Sequence, residues 1–292
     1  ATGTVTETTI WEDGSKTIVE KKKDGTVTTT AILANGVKSE TVTTPDGETT
    51  SNITLPSNVT SIVARIPVPN ADAGTVAVLV HADGTEEIIR GSVAQNGELL
   101  IPLSGSAVIK VKHSGISFPD TDTHWASEAV TFVTARGLFE GTSESIFSPD
   151  TSMTRGMLVT VLHRLENTPE GTAQSFDEVQ PDMYYADAIA WAAQNNIVEG
   201  MGDGSFQPDG NITREQLAVI LYRYAKPEQT DGNLEKFSDG TEVSSWAAEA
   251  MRWAVGSELF VGDNGRLNPT ESATRAEVAT ILQRFITYMA QD

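Results

Sequence analysis

The chain has 292 residues, which is enough for two or three folded units at roughly 100–200 residues per domain. Twenty Lys and Arg residues against forty Asp and Glu residues give a formal net charge of −20, so nucleic-acid phosphates and anionic membranes are repelled and are excluded as expected partners. The sequence contains no cysteine, which excludes disulfides, thiolate nucleophiles and Cys-ligated metal sites.

The N-terminus lacks the features of a signal peptide. The chain begins at Ala1 without an initiator Met, a charged region or an apolar region that a signal peptide would carry. No stretch approaches about eighteen consecutive apolar residues, the length that predicts a membrane-spanning helix. We therefore expect no membrane insertion, and we expect the chain to be cut from a longer exported precursor whose signal peptide is absent from this sequence.

Residues 1–52 are rich in Thr, Val and Glu and poor in large apolar side chains. Turn dipeptides recur every 11 residues, at Asp13-Gly14, Asp24-Gly25, Asn35-Gly36 and Asp46-Gly47. Such pairs favour two-residue type I′ hairpin turns, in which both central residues have φ > 0. With about nine residues left between turns, the period predicts an up-and-down β-meander, a thin solvated sheet or stalk. The low hydrophobicity leaves a disordered polar linker as the alternative.

Residues 53–117 contain more apolar runs, including 75–80 and 107–112, which are separated by further turn signals. These runs predict buried strands in a small β domain, a sandwich or half-barrel of about 65 residues. His81 and His113 have no companion at ligand spacing, so we interpret both as strand residues and expect no metal or cofactor. Self-association of the β region through exposed strand edges stays open, although the run of three lysines at 21–23 would oppose it.

From residue 118 the apolar residues recur at intervals of three and four, which predicts amphipathic helices. The same pattern occurs three times, over residues 118–166, 176–225 and 237–286. Thr-Arg pairs mark equivalent positions 59 and 61 residues apart, at Thr154-Arg155, Thr213-Arg214 and Thr274-Arg275. Each copy also carries an aromatic residue, an Ala-rich helix, a glycine and a Pro followed by a small polar residue. The sequence therefore contains an internal repeat of two-helix units.

Capping signals place the start of the second helix in each repeat. Thr213-x-x-Gln216 and Thr274-x-x-Glu277 predict capping boxes, in which the Thr hydroxyl and the Gln or Glu side chain each accept a backbone N–H. Thr154 keeps only half of such a box, because the third helical position of its helix holds methionine.

Further local signals surround the first helix of each repeat. Asp120 and Ser238, with their neighbours, are expected to accept hydrogen bonds from free N–H groups ahead of this helix. A glycine follows the helix in every copy, where a left-handed or tight conformation favours glycine. These glycines are Gly141, Gly200 and Gly262.

The repeated pattern of Phe-x-Asp, aromatic, Ala-rich helix, Leu-x-x-Gly, Phe-x-Pro-Asp and Ile-Thr-Arg-Glu resembles the S-layer homology family. The resemblance covers residues 118–292, about 60% of the sequence, and three copies carry it independently. It implies export by a Gram-positive bacterium or a related lineage and a pseudo-threefold helical bundle with one helix of each repeat at the centre. It also implies that grooves between repeats bind secondary cell-wall polysaccharide linked to peptidoglycan, often with a pyruvate ketal on N-acetylmannosamine.

Together these features predict a multi-domain α+β protein. An all-β N-terminal region, with a stalk over residues 1–52 and a small β domain over 53–117, precedes an all-α bundle over 118–292. We expect an extracellular location in the cell wall or S-layer.

Three arginines are the expected cations of the binding sites: Arg155, Arg214 and Arg275. Each stands at the first position of a capped helix, where the helix dipole adds to the charge of the guanidinium and favours an acidic sugar. Pairing with a nearby acidic residue, Asp150 or Asp209, is the alternative, in which the arginine pins a loop. Both roles can hold together, and Asp150 and Asp209 are included among the candidate site residues.

The aromatic residues at the repeated position are Trp125, Tyr184 and Trp246. They are candidates to stack on sugar rings, but an aromatic residue just before an apolar helical stripe more often belongs to the core, and we favour that interpretation. The glycines at 141, 200 and 262 would allow a ligand to approach the backbone closely. Trp191 and Trp253, within the first helices, are interpreted as packing residues.

Differences between the copies predict unequal affinities, with the groove that uses Arg214 best formed. No catalytic motif stands out, and the four histidines are scattered, so we expect a non-catalytic anchor. Two alternatives stay open. One is a structural S-layer lattice module, and the other is the accessory anchor of a surface glycoside hydrolase whose catalytic part lies outside this chain.

Overall fold

The computed structural model describes residues 3–171, 176–229 and 231–291. Strands fill the N-terminal region and helices the C-terminal region, so the predicted α+β class and its order along the chain are confirmed. The chain divides into two compact units. One comprises residues 1–116 with 134–136 and 290–292, and the other comprises 117–133 with 137–289.

The first unit is built from antiparallel strands. In the described part of the chain these are β1 (Val5–Ile10), β2 (Lys16–Lys21), β3 (Val27–Ile32), β4 (Lys38–Thr43), β5 (Thr49–Thr54), β6 (Ile62–Pro67), β7 (Thr75–Val80), β8 (Glu86–Ile89), β9 (Val93–Gln95), β10 (Glu98–Leu103) and β11 (Ala107–His113). Eight form one sheet in the order β1-β2-β3-β4-β5-β11-β7-β8, and β6-β10-β9 form a second. The predicted meander is therefore confirmed for β1–β5, with strands of six residues rather than nine.

The hairpin turns of the meander differ from the prediction. Only the glycine of each dipeptide has a positive φ, for example 86° at Gly14. The Gly14 N–H donates to the Trp11 carbonyl, and the Trp11 N–H donates to the Ser15 carbonyl across a three-residue loop. This is a type I turn followed by a glycine bulge, so the type I′ prediction is wrong. The Asp13 carboxylate accepts the N–H of Ser15 two residues on, which favours this turn.

The apolar strands bury a core between the two sheets. Ile53 and Ile109 on the large sheet pack in one cluster with Ile66, Leu99 and Ile101 on the small sheet. This arrangement agrees with the predicted sandwich. The predicted boundary between residues 52 and 53 falls within β5, so the polar and apolar strands share one continuous sheet. At the other end of that sheet, every residue of β1 is exposed.

The two histidines of this unit contact acidic side chains. His113 is the last residue of β11, as predicted, and its Nδ1 lies 3.1 Å from Asp72. His81 follows the last residue of β7 rather than lying in the strand, and its Nε2 lies 3.0 Å from Glu87. Both side chains are partly exposed to solvent.

The second unit contains the three predicted repeats, each with a first helix of nine residues and a longer second helix. The helices are α1 (Ser127–Ala135), α2 (Arg155–Leu165), α3 (Ala186–Gln194), α4 (Arg214–Ala225), α5 (Ala248–Gly256) and α6 (Arg275–Met289). Short 3-10 helices at Leu234–Lys236 and Gly240–Glu242 precede α5. Within the described ranges, no helix has the length and apolar character needed to cross a bilayer.

The capping predictions for the second helices are confirmed. Thr213 and Gln216 form both halves of a box at α4. The Thr274 hydroxyl accepts the Glu277 N–H at 3.2 Å, while the Glu277 carboxylate accepts the Thr274 N–H at 2.8 Å. Thr154 at α2 caps through its side chain alone.

The segments ahead of the second helices hydrogen-bond to one another. The Met153 N–H donates to Ala273, the Ala273 N–H to Ile212, and the Ile212 N–H back to Met153, each at 2.9 Å. All three residues are buried. This closed cycle brings the N-termini of α2, α4 and α6 together, so an arginine at each terminus meets the neighbouring repeat.

Candidate functional site

The three predicted arginines each connect one repeat to the next. Arg155 Nε donates to the Phe206 carbonyl at 2.9 Å. Arg214 Nε donates to Leu267 at 2.7 Å, and Arg275 Nε donates to Phe147 at 2.9 Å. The bonds link the first repeat to the second, the second to the third and the third to the first.

These guanidinium groups are buried against aromatic rings. Each of these residues is more than nine-tenths buried, and its guanidinium carbon lies over a phenylalanine ring, 4.6 Å from the ring centroid of Phe206 for Arg155. Such a cation–π contact stabilises a desolvated cation. Burial lowers the pKa of Arg155 and of Arg275, but an arginine stays protonated at neutral pH. Each arginine therefore places a fixed positive charge at the junction of two repeats.

The alternative interpretation, in which an arginine pairs with Asp150 or Asp209, is wrong. The Arg155 guanidinium donates to backbone carbonyls and not to a carboxylate. This is because the N-terminus of α2 faces a loop of the second repeat and not Asp150 of the first repeat. Asp150 instead lies 3.3 Å from Nε2 of His124, and Asp209 interacts with Tyr185. The Asp150 side chain is largely exposed.

One of the arginines does contact a carboxylate. Arg214 Nη1 lies 2.7 Å from Oε1 of Glu277, the third residue of α6. The other oxygen of Glu277 completes the capping box with Thr274. The equivalent third residue of α4 is Gln216, and that of α2 is Met157, neither of which carries a charge.

A second set of arginines, absent from the predicted site residues, lies in the second helices: Arg164, Arg223 and Arg284. Arg164 and Arg284 donate to the carbonyls of Leu138 and Leu259, which follow the first helix of their own repeats. Arg164 also lies 3.4 Å from Glu140, and Arg223 lies 2.9 Å from Glu199. The presence of an arginine at this equivalent position in all three repeats is the sequence signal that could have identified the set.

The aromatic residues of the repeated position lie on the surface. Trp125 is 65% exposed, Tyr184 62% and Trp246 58%, so the favoured core interpretation is wrong. They lie before their helices rather than on the inward helical face. The core places are taken by Trp191 and Trp253, which are 7% and 1% exposed, as predicted.

A carboxylate in each repeat holds the loop that precedes the second helix. Asp239 accepts the N–H groups of Leu267 and Asn268 at 2.8 and 2.7 Å. Asp120 accepts those of Phe147 and Ser148, and Glu178 accepts that of Gln207. The predicted role ahead of the first helix is therefore wrong, because these acceptors face a loop 27 to 29 residues further along the chain.

The electrostatics of this carboxylate are set by its N–H donors. Burial opposes the ionisation of Asp239, but the N–H groups of Leu267 and Asn268 outweigh it and lower the pKa of the carboxyl below its usual value. The same balance lowers the pKa of Asp120. Each carboxylate is thus charged at neutral pH and holds the loop beside an inter-repeat arginine.

The predicted glycines are sites of close packing. A Cβ at Gly200 would lie 2.7 Å from the Ser205 carbonyl oxygen and 2.9 Å from the Phe176 ring. Of the three predicted glycines, only Gly262 has a positive φ, of 74°. The left-handed residues that follow the first helices lie four positions earlier, at Gly137, Asn196 and Glu258.

Arginine and aromatic residues from different repeats meet in two grooves. The second-repeat groove, of about 320 Å³, is lined by α4 and by residues 198–201, with Arg155 from the first repeat and Trp246 from the third. The third-repeat groove, of about 600 Å³, is lined by α6 and residues 259–263, with Arg214 from the second repeat and Trp125 from the first. Tyr184 and Arg275 occupy the corresponding positions for the first repeat.

Three equivalent two-helix units, joined by cyclic hydrogen bonds and separated by grooves, define a tandem-repeat helical protein. Residues 117–156, 175–218 and 236–279 each match the S-layer homology domain. The chain therefore carries three tandem S-layer homology domains, as the sequence pattern indicated.

Curated relatives are similar to more than half of the chain. The chain is 32% identical to the Surface-layer 125 kDa protein of Lysinibacillus sphaericus, over 56% of this chain and 14% of that protein. It is 26% identical to the S-layer protein sap of Bacillus anthracis, over 64% of this chain and 23% of that protein. It is 28% identical to an amylopullulanase of Thermoanaerobacterium thermosulfurigenes, over 57% of this chain and 9% of that enzyme. This chain thus spans less than a quarter of the length of each.

Proposed function

We propose that residues 118–292 anchor the protein non-covalently to a bacterial cell wall. The ligand is secondary cell-wall polysaccharide attached to peptidoglycan, bound in the grooves between S-layer homology domains of a pseudo-threefold bundle. One observation carries this proposal: each groove joins a guanidinium from one repeat to an exposed indole from another. An exposed indole beside a cation in a groove offers a ligand both a flat apolar face and an N–H donor.

The two groups suit the two chemical faces of a pyruvylated sugar such as pyruvylated N-acetylmannosamine. The carboxylate of the ketal requires a cation, which Arg155 and Arg223 supply in the second-repeat groove. The apolar face of the sugar ring requires a flat surface, which Trp246 supplies. The close backbone at Gly200 forms part of the same groove wall.

The relatives support a surface location and a non-catalytic role for this part of the chain. Two of them are surface-layer proteins by name, and the amylopullulanase shows that such a segment also occurs in a much longer enzyme. In this proposal the protein is extracellular, in the wall or S-layer of a Gram-positive bacterium or a related lineage. It carries either a lattice region or a glycoside hydrolase outside this chain.

Co-sedimentation with purified walls tests the anchoring function. The chain is mixed with native walls and with walls from which hydrofluoric acid has stripped the secondary polymer. We expect the chain to sediment with native walls and to stay in solution with stripped walls. Equal sedimentation with both would contradict the proposal, because the peptidoglycan alone would then suffice.

Self-association of the β region is a second candidate function, favoured by the exposed apolar residues of one edge. β1 is the outermost strand of the large sheet, and Val5, Ile10 and Trp11 are 59%, 71% and 59% exposed. An exposed edge strand is a template for pairing with another chain. Analytical ultracentrifugation of the whole chain and of an Ile10→Lys variant tests this: concentration-dependent dimers that the variant abolishes support it, and monomers throughout contradict it.

A further inference from the structure

The two grooves differ in charge although their architecture is equivalent. The second-repeat groove is lined by two arginines, Arg155 and Arg223, and by one carboxylate, Glu199, for a formal charge of +1. The third-repeat groove is lined by two arginines and four carboxylates, for a formal charge of −2. Its arginines are Arg214 and Arg284, and its carboxylates are Asp150, Asp263, Glu271 and Glu277.

Each of the four carboxylates stands at a repeat position whose equivalent on the side of the second-repeat groove holds an uncharged residue. The positions equivalent to Asp150, Asp263, Glu271 and Glu277 are Thr270, Met201, Gly210 and Gln216. The single acid of the second-repeat groove, Glu199, is already paired with Arg223 at 2.9 Å. Its counterpart in the third repeat is the uncharged Val261. The third-repeat groove therefore has one acid fewer at this position but four more elsewhere.

The decisive difference lies at the arginine that connects the repeats. In the third-repeat groove the Glu277 carboxylate forms an ion pair with the Arg214 guanidinium at 2.7 Å. The two side chains are only 10% and 29% exposed. An acidic ligand would have to displace that carboxylate and then face three more. In the second-repeat groove the corresponding residue is Gln216, whose side chain accepts the Thr213 N–H in the capping box and carries no charge to neutralise Arg155.

We propose that the second-repeat groove selects acidic glycans and the third-repeat groove excludes them, with Gln216 and Glu277 as the specificity-determining residues. This inference rests on the proposed glycan-binding function and reverses the ranking predicted from the sequence, in which the Arg214 groove was best. The larger volume of the third-repeat groove does not compensate, because its walls repel the charge that the ligand carries. In this proposal the third-repeat groove binds only uncharged segments of the polysaccharide.

A reciprocal exchange of Gln216 and Glu277 tests the proposal without removing either helix cap. Both residue types accept the N–H of the capping threonine, so Gln216→Glu and Glu277→Gln preserve the capping boxes. The indole N–H resonances of Trp246 and Trp125, assigned with Trp→Phe variants of the ¹⁵N-labelled chain, report the two grooves separately. The probes are the methyl glycoside of 4,6-pyruvylated N-acetylmannosamine and the same glycoside without the ketal.

In the wild type we expect the acidic probe to shift the Trp246 signal at concentrations at least about tenfold lower than those that shift Trp125. Gln216→Glu should weaken the Trp246 response to the acidic probe by about tenfold or more and leave the response to the neutral probe within about twofold. Glu277→Gln should make Trp125 respond to the acidic probe. Thermal melting of each variant confirms that the fold is retained.

Two results would overturn the inference. One is equal titration of Trp246 and Trp125 by the acidic probe in the wild type, and the other is an unchanged response of both signals in the exchanged variants. Co-sedimentation with native walls separates this failure from that of the proposed function. If the wild type binds walls while the grooves show no selectivity, only the inference is lost, whereas absence of wall binding overturns both.

Discussion

Arg155 of the first repeat donates from Nε to the carbonyl of Phe206 in the second repeat, at 2.9 Å. The guanidinium lies over the ring of the same phenylalanine, 4.6 Å from its centroid. The residue thus satisfies a carbonyl of the neighbouring repeat while its charge remains at the wall of a groove. If the proposed function holds, stability and ligand binding are coupled through this one side chain.

Replacing Arg155 should impair both properties. Arg155→Ala leaves the carbonyls of Phe206 and Glu199 without their donors, and we expect the free energy of unfolding to fall by about 2–3 kcal/mol. Binding to native walls should weaken as well. Thermal melting followed at 222 nm and wall co-sedimentation measure the two effects. Arg252→Ala, at an exposed position on α5, is the control and should change neither; equal melting of the two variants would contradict the coupling.

The Asp239 carboxylate predicts a pH dependence of stability. Asp239→Asn loses one of two charge-assisted hydrogen bonds to the loop, and we expect a loss of about 2 kcal/mol at pH 7. Because the pKa of Asp239 is lowered in the folded state, this contribution is present above about pH 4 and is lost as the pH falls through the folded pKa.

Urea unfolding of wild type and Asp239→Asn at several pH values between neutral and acidic measures this difference. The gap between the two proteins should be constant near neutrality and should shrink below about pH 4. Asp182→Asn, at an exposed loop position, is the matched control and should follow the wild type throughout. A gap that stays constant down to pH 2 would show that the carboxylate charge is not responsible.

A substitution at Gly200 tests whether the groove wall is closely packed. Gly200→Ala forces a Cβ against the Ser205 carbonyl and the Phe176 ring, and the neighbouring backbone must shift. We expect a destabilisation of about 1–3 kcal/mol and weaker ligand binding. Gly105→Ala is the control, because nothing lies within 4 Å of its added Cβ. Thermal melts that are equal for the two variants would contradict the packing argument.

Two tryptophans of the third repeat separate binding from packing. Trp246→Ala should leave the melting temperature unchanged and weaken binding of the pyruvylated probe about tenfold, since its indole is exposed at the groove. Trp253→Ala should destabilise the chain by about 3–5 kcal/mol, since its indole is buried against Phe285 and Tyr222. Calorimetric titration and thermal melting distinguish the two, and a stability loss at Trp246 would contradict its assignment to the surface.

Local signals in the sequence predicted much of the fold. The equivalent Thr-Arg pairs located all three second helices, and the identity of the third helical residue distinguished the full capping boxes of Thr213 and Thr274 from the half box of Thr154. These features depend on residues three positions apart, which a sequence displays directly. The turn at Gly14 was located for the same reason, but its type depends on the φ of Asp13, which the dipeptide alone does not determine.

The details of the site depend on contacts distant in the chain, which the sequence pattern did not reveal. Arg155 meets a carbonyl 51 residues away, and Asp239 meets N–H groups 28 and 29 residues away. The exposure of Trp125 and Trp246 was mispredicted because helical periodicity assigns a face only within a helix, and both residues precede one. Repeat sequences identify equivalent positions, but which repeat supplies the partner is a property of the assembled fold.

A variant with Trp125→Ala, Tyr184→Ala and Trp246→Ala combined tests the central claim most directly, because the three side chains are exposed and their removal should leave the fold intact. Its co-sedimentation with native walls is compared with that of the wild type at matched concentrations. If the grooves hold the polysaccharide, the variant melts like the wild type and remains in the supernatant. A variant that sediments with the walls as fully as the wild type would contradict the account.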